Sequence, residues 1–203
     1  MYGFRAPSQF WRDFTRELIG DLEVIRDTLA ENIHGMSVVL DTTRHVTYLR
    51  IKSDASGSDH KGWGWYATND DGTQYHGTGK WTAKQFPWSI LTKELFPIVA
   101  AIAAHGAEWS GRVIMSGVDN AGLASCVNAQ RGRDKYTRGQ MRVLARLLSQ
   151  YDIILLGFWT PRIWNVVADL MSKGCSFDVA IVRARHVYAA QIHEATPTSS
   201  SGD

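Results

Sequence analysis

The chain has 203 residues and the apolar and charged fractions of a soluble globular protein, with room for one medium domain plus extra elements or for two small domains. Its formal net charge is +2, which excludes nucleic-acid binding by bulk charge; any such affinity has to come from local patches. The longest apolar run, Leu95 to Ala104, contains Pro97 and is about half the roughly 20 residues a membrane span needs, so no membrane partner is expected.

Met1 to Trp11 lacks the apolar core of a signal peptide. Cys126 and Cys175 offer neither a disulfide framework nor metal-ligand spacing. Both features predict an intracellular protein in a reducing compartment, with nucleus or cytoplasm left open. Ser8 has the character of an N-cap, and Trp11, Phe14, Leu18, Leu22, Ile25 and Leu29 follow at helical spacing. Ser8 to Glu31 is therefore predicted as an amphipathic helix or helix pair, and Met36 to Leu40 as a short strand. Residues 1–45 read as a helical connector without chemistry of their own.

Val46 to Asp54 alternates like a half-buried strand and ends in Asp54-Ala-Ser-Gly57. A carboxylate fixed at a strand end beside small residues is well placed to hold a cation, although the same word is also an ordinary turn. A second strand is expected over Gly64 to Thr68, a hairpin turn at Asn69-Asp-Asp-Gly72, and a third strand over Thr73 to Trp81. Ser89 caps a helix that runs to His105 and stops at Gly106, with Leu91, Leu95, Ile98, Val99 and Ile102 facing the core. Glu94 falls within that face, where a carboxylate is costly unless it is paired or metal-bound. Pro97 predicts a kink or a later helix start.

Arg112 to Val118 forms a fourth, buried strand, terminating in Asp119-Asn120. Ala121 to Asn128 is a short helix, and Gln130 to Gly139 a polar loop carrying Arg131, Arg133, Lys135 and Arg138. The helix Arg138 to Gln150 turns Met141, Leu144 and Leu148 inward and sets Arg138, Arg142 and Arg146 on another stripe. Asp152 to Trp159 is a fifth strand, broken by Thr160-Pro161. Asn165 caps a helix from Val166 to Lys173 that carries Asp169 and ends at Gly174. Phe177 to His193 forms one more helix, and Thr196 to Asp203 is Ser/Thr/Gly-rich and predicted to be disordered.

Three antiparallel strands followed by βα crossovers predict an α/β fold with a five-stranded mixed sheet and helices on both faces. Strands one, four and five then lie side by side, and Asp54 neighbours Asp119. Glu94 and Asp169 approach the same edge from two helices. Oxygen-only donors of this kind favour a hard cation, Mg²⁺ or Mn²⁺, over zinc. Carboxylates crowded together without metal repel, so at least one should be harder to ionise than usual.

Four words of the sequence resemble ribonuclease H domains, of the kind attached to reverse transcriptases of DIRS-like and related LTR-type retroelements. They are Ser53-Asp54-Ala55-Ser56 before Gly62-Trp63-Gly64-Trp65; Lys93-Glu94-Leu95; Val118-Asp119-Asn120; and Asn165-Val-Val-Ala-Asp169-Leu-Met-Ser-Lys173. The resemblance spans about residues 46–174, with 175–203 a C-terminal helix and tail. It implies the RNase H-like fold and hydrolysis of the RNA strand of RNA–DNA hybrids with two Mg²⁺ ions, Mn²⁺ being the alternative. On that analogy Asp54 bridges both ions, Glu94 and Asp119 hold the leaving-group ion, Glu94 senses the 2′-hydroxyl, and Asp169 holds the ion that activates water.

Ser56 and Asn120 become supporting or substrate contacts. Arg131, Arg133, Lys135, Arg138, Arg142 and Arg146 become phosphate contacts, with a solvated basic face as the competing reading. Trp81 and Trp88 are open to core packing or nucleic-acid contact. One departure stands out: Trp159 occupies the place where cellular members often carry a histidine that helps product leave. A polymerase domain is an implied partner. Two other readings stay open, a DNA nuclease or recombinase on the same fold and a non-catalytic nucleic-acid-binding scaffold.

Overall fold

The computed structural model describes residues 48–58 and 61–195, together with Ile19, Leu22 and Glu23. Most of the expected N-terminal helix, the Met36–Leu40 strand, His60 and the Thr196–Asp203 tail lie outside the described residues.

Strand β1 (Tyr48–Ala55) buries Leu49, Ile51 and Ser53 on one face and turns Arg50, Lys52 and Asp54 to the other. β2 (Gly62–Asn69) pairs with it antiparallel, opposing Asp54 to Gly64 and Ser53 to Trp65. The turn to β3 (Gln74–Lys80) closes with the Asn69 N–H donating to the Thr73 carbonyl at 2.9 Å, and Gly72 takes the positive φ, 86°, that this turn requires. Glycines in β3 make room for the tryptophans of β2. A Cβ at Gly77 would come within 2.6 Å of the Trp65 indole, and one at Gly79 within 2.5 Å of Trp63.

Helix α1 (Ile90–His105) is capped by Ser89, whose hydroxyl accepts from the Thr92 N–H at 3.3 Å. It passes through Pro97 instead of starting after it. Pro97 is buried, and packing of its ring offsets the lost backbone hydrogen bond. β4 (Val113–Val118) lies parallel to β1, and α2 (Ala121–Ala129) follows. Helix α3 (Lys135–Gln150) begins three residues before the expected Arg138. Asp134 is the cap, accepting from the N–H groups of Tyr136 and Thr137 at 2.9 Å, so Gly139 lies inside the helix. β5 (Ile154–Trp159) completes a sheet of order β3-β2-β1-β4-β5, antiparallel on one side of β1 and parallel on the other.

After a 3₁₀ turn (Arg162–Trp164) come α4 (Val166–Ser172) and α5 (Phe177–Ala195). Asn165 does not cap α4 with its side chain. The amide is fully buried and donates instead to the Ser53 carbonyl at 2.9 Å, lashing the start of α4 to β1.

The two faces of the sheet are unequal. Leu49, Ile51, Trp65, Ile98, Ile102, Ile114, Leu144 and Leu155 belong to one large core under α1, α2 and α3. On the other face α4 crosses β1 and β2, and a smaller cluster gathers Val167, Met171, Ala180 and Ala184 with Tyr66. Ile154, Leu156 and Phe158 of β5 stay exposed. Gly64 lets α4 descend onto the sheet, since a Cβ there would meet the Met171 Cβ at 2.4 Å. No helix among the described residues is long and apolar enough to cross a membrane.

Candidate active site

The sheet brings Asp54 to the carboxyl end of β1, and Asp119 directly follows the neighbouring parallel β4. Glu94 reaches this edge from α1 on the large-core face and Asp169 from α4 on the opposite face. The four acids feel one another electrostatically. Asp119 and Asp169 both act on Asp54, and Asp119 and Asp54 both act on Glu94.

Asp54 is 7% exposed. Burial raises its pKa, the Ser172 hydrogen bond opposes the rise, and the charges of Asp119 and Asp169 add to it. The Ser172 Oγ lies 2.6 Å from Asp54 Oδ2 and 2.9 Å from the Asp169 carbonyl oxygen. One hydroxyl has a single proton to offer these two acceptors.

Glu94 is half-buried, and its pKa is pushed up to about 7 by burial and by the Asp119 and Asp54 charges, against a hydrogen bond from Asn120. Asn120 uses both ends of its amide within the protein. Its Oδ1 caps α2 by accepting from Gly122 N–H at 2.9 Å, and its Nδ2 donates to Glu94 Oε2 at 2.6 Å. The residue that starts α2 thereby orients the acid of α1. Ser56 closes the turn after β1: its carbonyl accepts from the Trp81 indole at 2.9 Å and its hydroxyl from the Ser58 N–H at 3.3 Å.

Asp169 is different. Arg162 Nη2 donates to Oδ1 at 2.7 Å and Lys173 Nζ to Oδ2 at 2.5 Å. Burial alone would raise its pKa, but the bonds from Lys173 and Arg162 outweigh it and hold the carboxyl below the usual range. The Arg162 charge also reaches Asp54 and Glu94. Among the described residues no three His, Cys, Asp or Glu side chains stand in a ready-made metal-ligand cluster.

Arg138, Arg142 and Arg146 follow at four-residue steps along α3, and Arg131 and Arg133 precede it. Arg131 and Arg133 line a groove of about 570 Å³ with Leu91, Gly122, Ser125, Cys126 and Gly132. Arg138 folds back to donate to the Arg133 carbonyl at 2.9 Å. Arg146 faces Glu23 at 3.7 Å, and the Lys135 ammonium sits 4.8 Å from the Tyr136 ring centre. Arg142 is half-buried on α3. Trp81 is buried and Trp88 packs against it and Phe96, so both belong to an aromatic cluster beneath the loop. Trp159 is 56% exposed, and its indole donates to the Asp119 carbonyl at 3.2 Å, beside the acids. His76 stacks on Phe177, on β3.

Sequence reading missed Arg162. It lies seven residues before Asp169 in an irregular turn, where no helical or strand spacing pairs the two. Ser172 and Lys173 stood inside the last family-like word, and the four-residue step from Asp169 to Lys173 was the available signal.

No protein-family model matches this sequence, and no curated protein matches it. Solved structures do. LC11-RNase H1, in complex with an RNA/DNA hybrid, aligns with a TM-score of 0.52 at 12% identity, over 66% of this chain and 99% of that one. The fold is RNase H-like. RNase H1 from the halophilic archaeon Halobacterium salinarum NRC-1 is also similar, at 18% identity and a TM-score of 0.47, over 68% of this chain and 99% of that one. So is the N-terminal RNase H domain of a Mycobacterium tuberculosis protein, at 16% identity and a TM-score of 0.46, with the same coverage. At such identities the likeness is one of fold. The RNase H-like sheet accounts for why β1, β4 and the helices over both faces meet at a single edge.

Proposed function

We propose that this chain is an endonuclease that hydrolyses the RNA strand of RNA–DNA hybrids, using divalent ions held by Asp54, Glu94, Asp119 and Asp169. One observation carries the reading. Four carboxylates from four separate elements approach one sheet edge and act on one another through their charges, and buried Asp54 and half-buried Glu94 have raised pKa values and, among the described residues, no cation bonded to them. Uncompensated, oxygen-only anionic charge fits a hard divalent cation, Mg²⁺ or Mn²⁺. Asp54, Glu94 and Asp119 would hold the first ion, and Asp169 would hold the second together with Asp54. Bound there, such ions supply an activated water and neutralise the leaving 3′-oxygen.

The protein's own groups prepare the site. Asn120 holds Glu94 in one orientation, and Ser172 steadies Asp54. Arg131 and Arg133 in their groove offer phosphate contacts to the DNA strand, a local patch on a chain of small net charge. Hybrid recognition through backbone and 2′-hydroxyls needs no base contacts. Residues 46–174 form the catalytic domain in this reading, and the Asn165–Lys173 word supports a retroelement reverse transcriptase as its source and a polymerase domain as partner.

The cation-paired state of Asp169 favours a second reading, a non-catalytic nucleic-acid-binding module. Incubation of the full chain with labelled hybrid and Mg²⁺ separates them, with Asp119→Asn, single-stranded RNA and duplex DNA as controls. Cleavage of hybrid RNA that Asp119→Asn loses supports the nuclease. Equal cleavage by both proteins, or none by either, defeats it, and cleavage of duplex DNA alone reassigns the substrate.

A further inference from the structure

The position of Arg162 is built into the fold. Its turn is fastened at four points. The Trp164 N–H donates to the Pro161 carbonyl at 2.8 Å and the Asn165 N–H to the Arg162 carbonyl at 2.9 Å. Lys52 from β1 donates to the Trp164 carbonyl, and the buried Asn165 amide donates to the Ser53 carbonyl at 2.9 Å. The first two bonds close the turn on itself, and the turn cannot drift from β1 without breaking the last two. From it the Arg162 guanidinium extends back to Asp169 Oδ1, while Lys173, one helical turn on, takes Oδ2. Both oxygens of Asp169 are thus engaged by monovalent cations. Among the described residues Asp54 has the Ser172 hydroxyl, and Glu94 the Asn120 amide, as side-chain hydrogen-bond partner, and neither is a cation.

A divalent ion at Asp169 must either displace one of those cations or share an oxygen with it against their mutual repulsion. Among the described residues, no cation is hydrogen-bonded to Asp54 or Glu94, so an ion there meets no such competitor. We infer that Arg162 is a positioning residue that competes with the second divalent ion for Asp169, so the two ions bind in order and with unequal affinity. This rests on the two-ion reading above and adds to it a reason for the inequality that belongs to this chain. Arg162 is the better candidate for the competitor. It comes from outside α4, and its charge also reaches Asp54 and Glu94. Lys173 is tied to Asp169 by helical spacing alone.

The test is a Mn²⁺ titration of the full chain followed by electron paramagnetic resonance of free Mn²⁺, which counts bound ions without any turnover. Wild type, Arg162→Gln, Arg162→Lys and Asp169→Asn are compared, with circular dichroism confirming that each is folded. The wild type is expected to bind one ion tightly and a second more weakly. Arg162→Gln should tighten the second by roughly three- to tenfold, the scale for removing one partly solvated charge next to a cation, and leave the first within about twofold. Arg162→Lys should return the second toward wild type, and Asp169→Asn should abolish it.

Arg162→Gln with unchanged second-ion affinity, or with both ions tightened equally, overturns the competition while two-ion binding stands. If no ion is retained by wild type or Arg162→Gln at millimolar Mn²⁺, the inference falls together with the two-ion reading on which it rests.

Discussion

Asp54 and Asp169 lie on the same side of one sheet, with the Ser172 hydroxyl in contact with both residues, yet their surroundings are opposite. Asp54 is enclosed by strands and helix, receives one hydroxyl, and is pushed toward its neutral form. Asp169 sits at the rim with a guanidinium and an ammonium on its two oxygens, and is held as an anion. The same side chain, a few residues of helix away, is short of positive charge in one place and saturated in the other. Elements that bring acids together therefore do not by themselves make a metal site. The cations that the chain supplies decide which acid is waiting for one.

The largest test of this contrast is a pair of isosteric changes. Asp54→Asn should reduce hybrid cleavage by roughly a thousandfold or more, as expected when an electrostatic element of a preorganised site is lost. In metal-free buffer the same change should raise the melting temperature by about 2–4 °C, because an ill-compensated buried charge is removed. Asp169→Asn should also impair cleavage, but leave the metal-free melting temperature unchanged or lower, since two cations lose their partner. Calorimetry without divalent ions checks the sign, and equal shifts in both variants would erase the distinction.

The descent of α4 onto β2 comes next. Gly64→Ala would force the Cβ against Met171 and lift the helix that carries both Ser172 and Asp169. A stability loss of about 1–3 kcal/mol, the usual cost of overpacking, should accompany weakened cleavage. Unchanged denaturant midpoint and activity would show that the close approach does not set the site.

Glu94 supplies a pH test of similar or smaller size. Its folded pKa, about 7, lies above the ordinary glutamate value, so the folded state binds a proton that the unfolded state has lost. Stability is then greatest at low pH and declines as pH rises from about 4.5 to 7, with a total on the order of 2 kcal/mol allowing for the partly solvated side chain. Glu94→Gln keeps an acceptor for Asn120 and should flatten the decline in metal-free urea unfolding curves. The smallest effect is expected at the groove. Arg131→Ala and Arg133→Ala should each weaken hybrid binding a few-fold and lower the slope of log affinity against log salt by about one, without altering metal binding.

Much of the fold was legible because its signals are local. Alternation in Val46–Asp54, the Asn-Asp-Asp-Gly turn and the Ser89 cap each act within a few residues. The errors were also local. Asp134 caps α3 although Gly139 suggested a loop, and of the two outcomes that Pro97 left open, a later helix start is excluded because Pro97 lies buried inside α1. Asn165 has the chemistry of a cap, but a buried carbonyl at Ser53 needed a donor more than the α4 backbone did.

By itself the sequence determined the order of strands and helices and placed an acid at the end of β1, within α1, after β4 and within α4. Such placement follows from periodicity and chain connectivity, which neighbouring residues encode. Only the tertiary structure decided how those acids differ, since burial and cation pairing depend on groups distant along the chain or joined to it through irregular turns. Arg162 reaches Asp169 because Asn165 and Lys52 pin its turn to β1, and no repeat or spacing in the sequence records that contact.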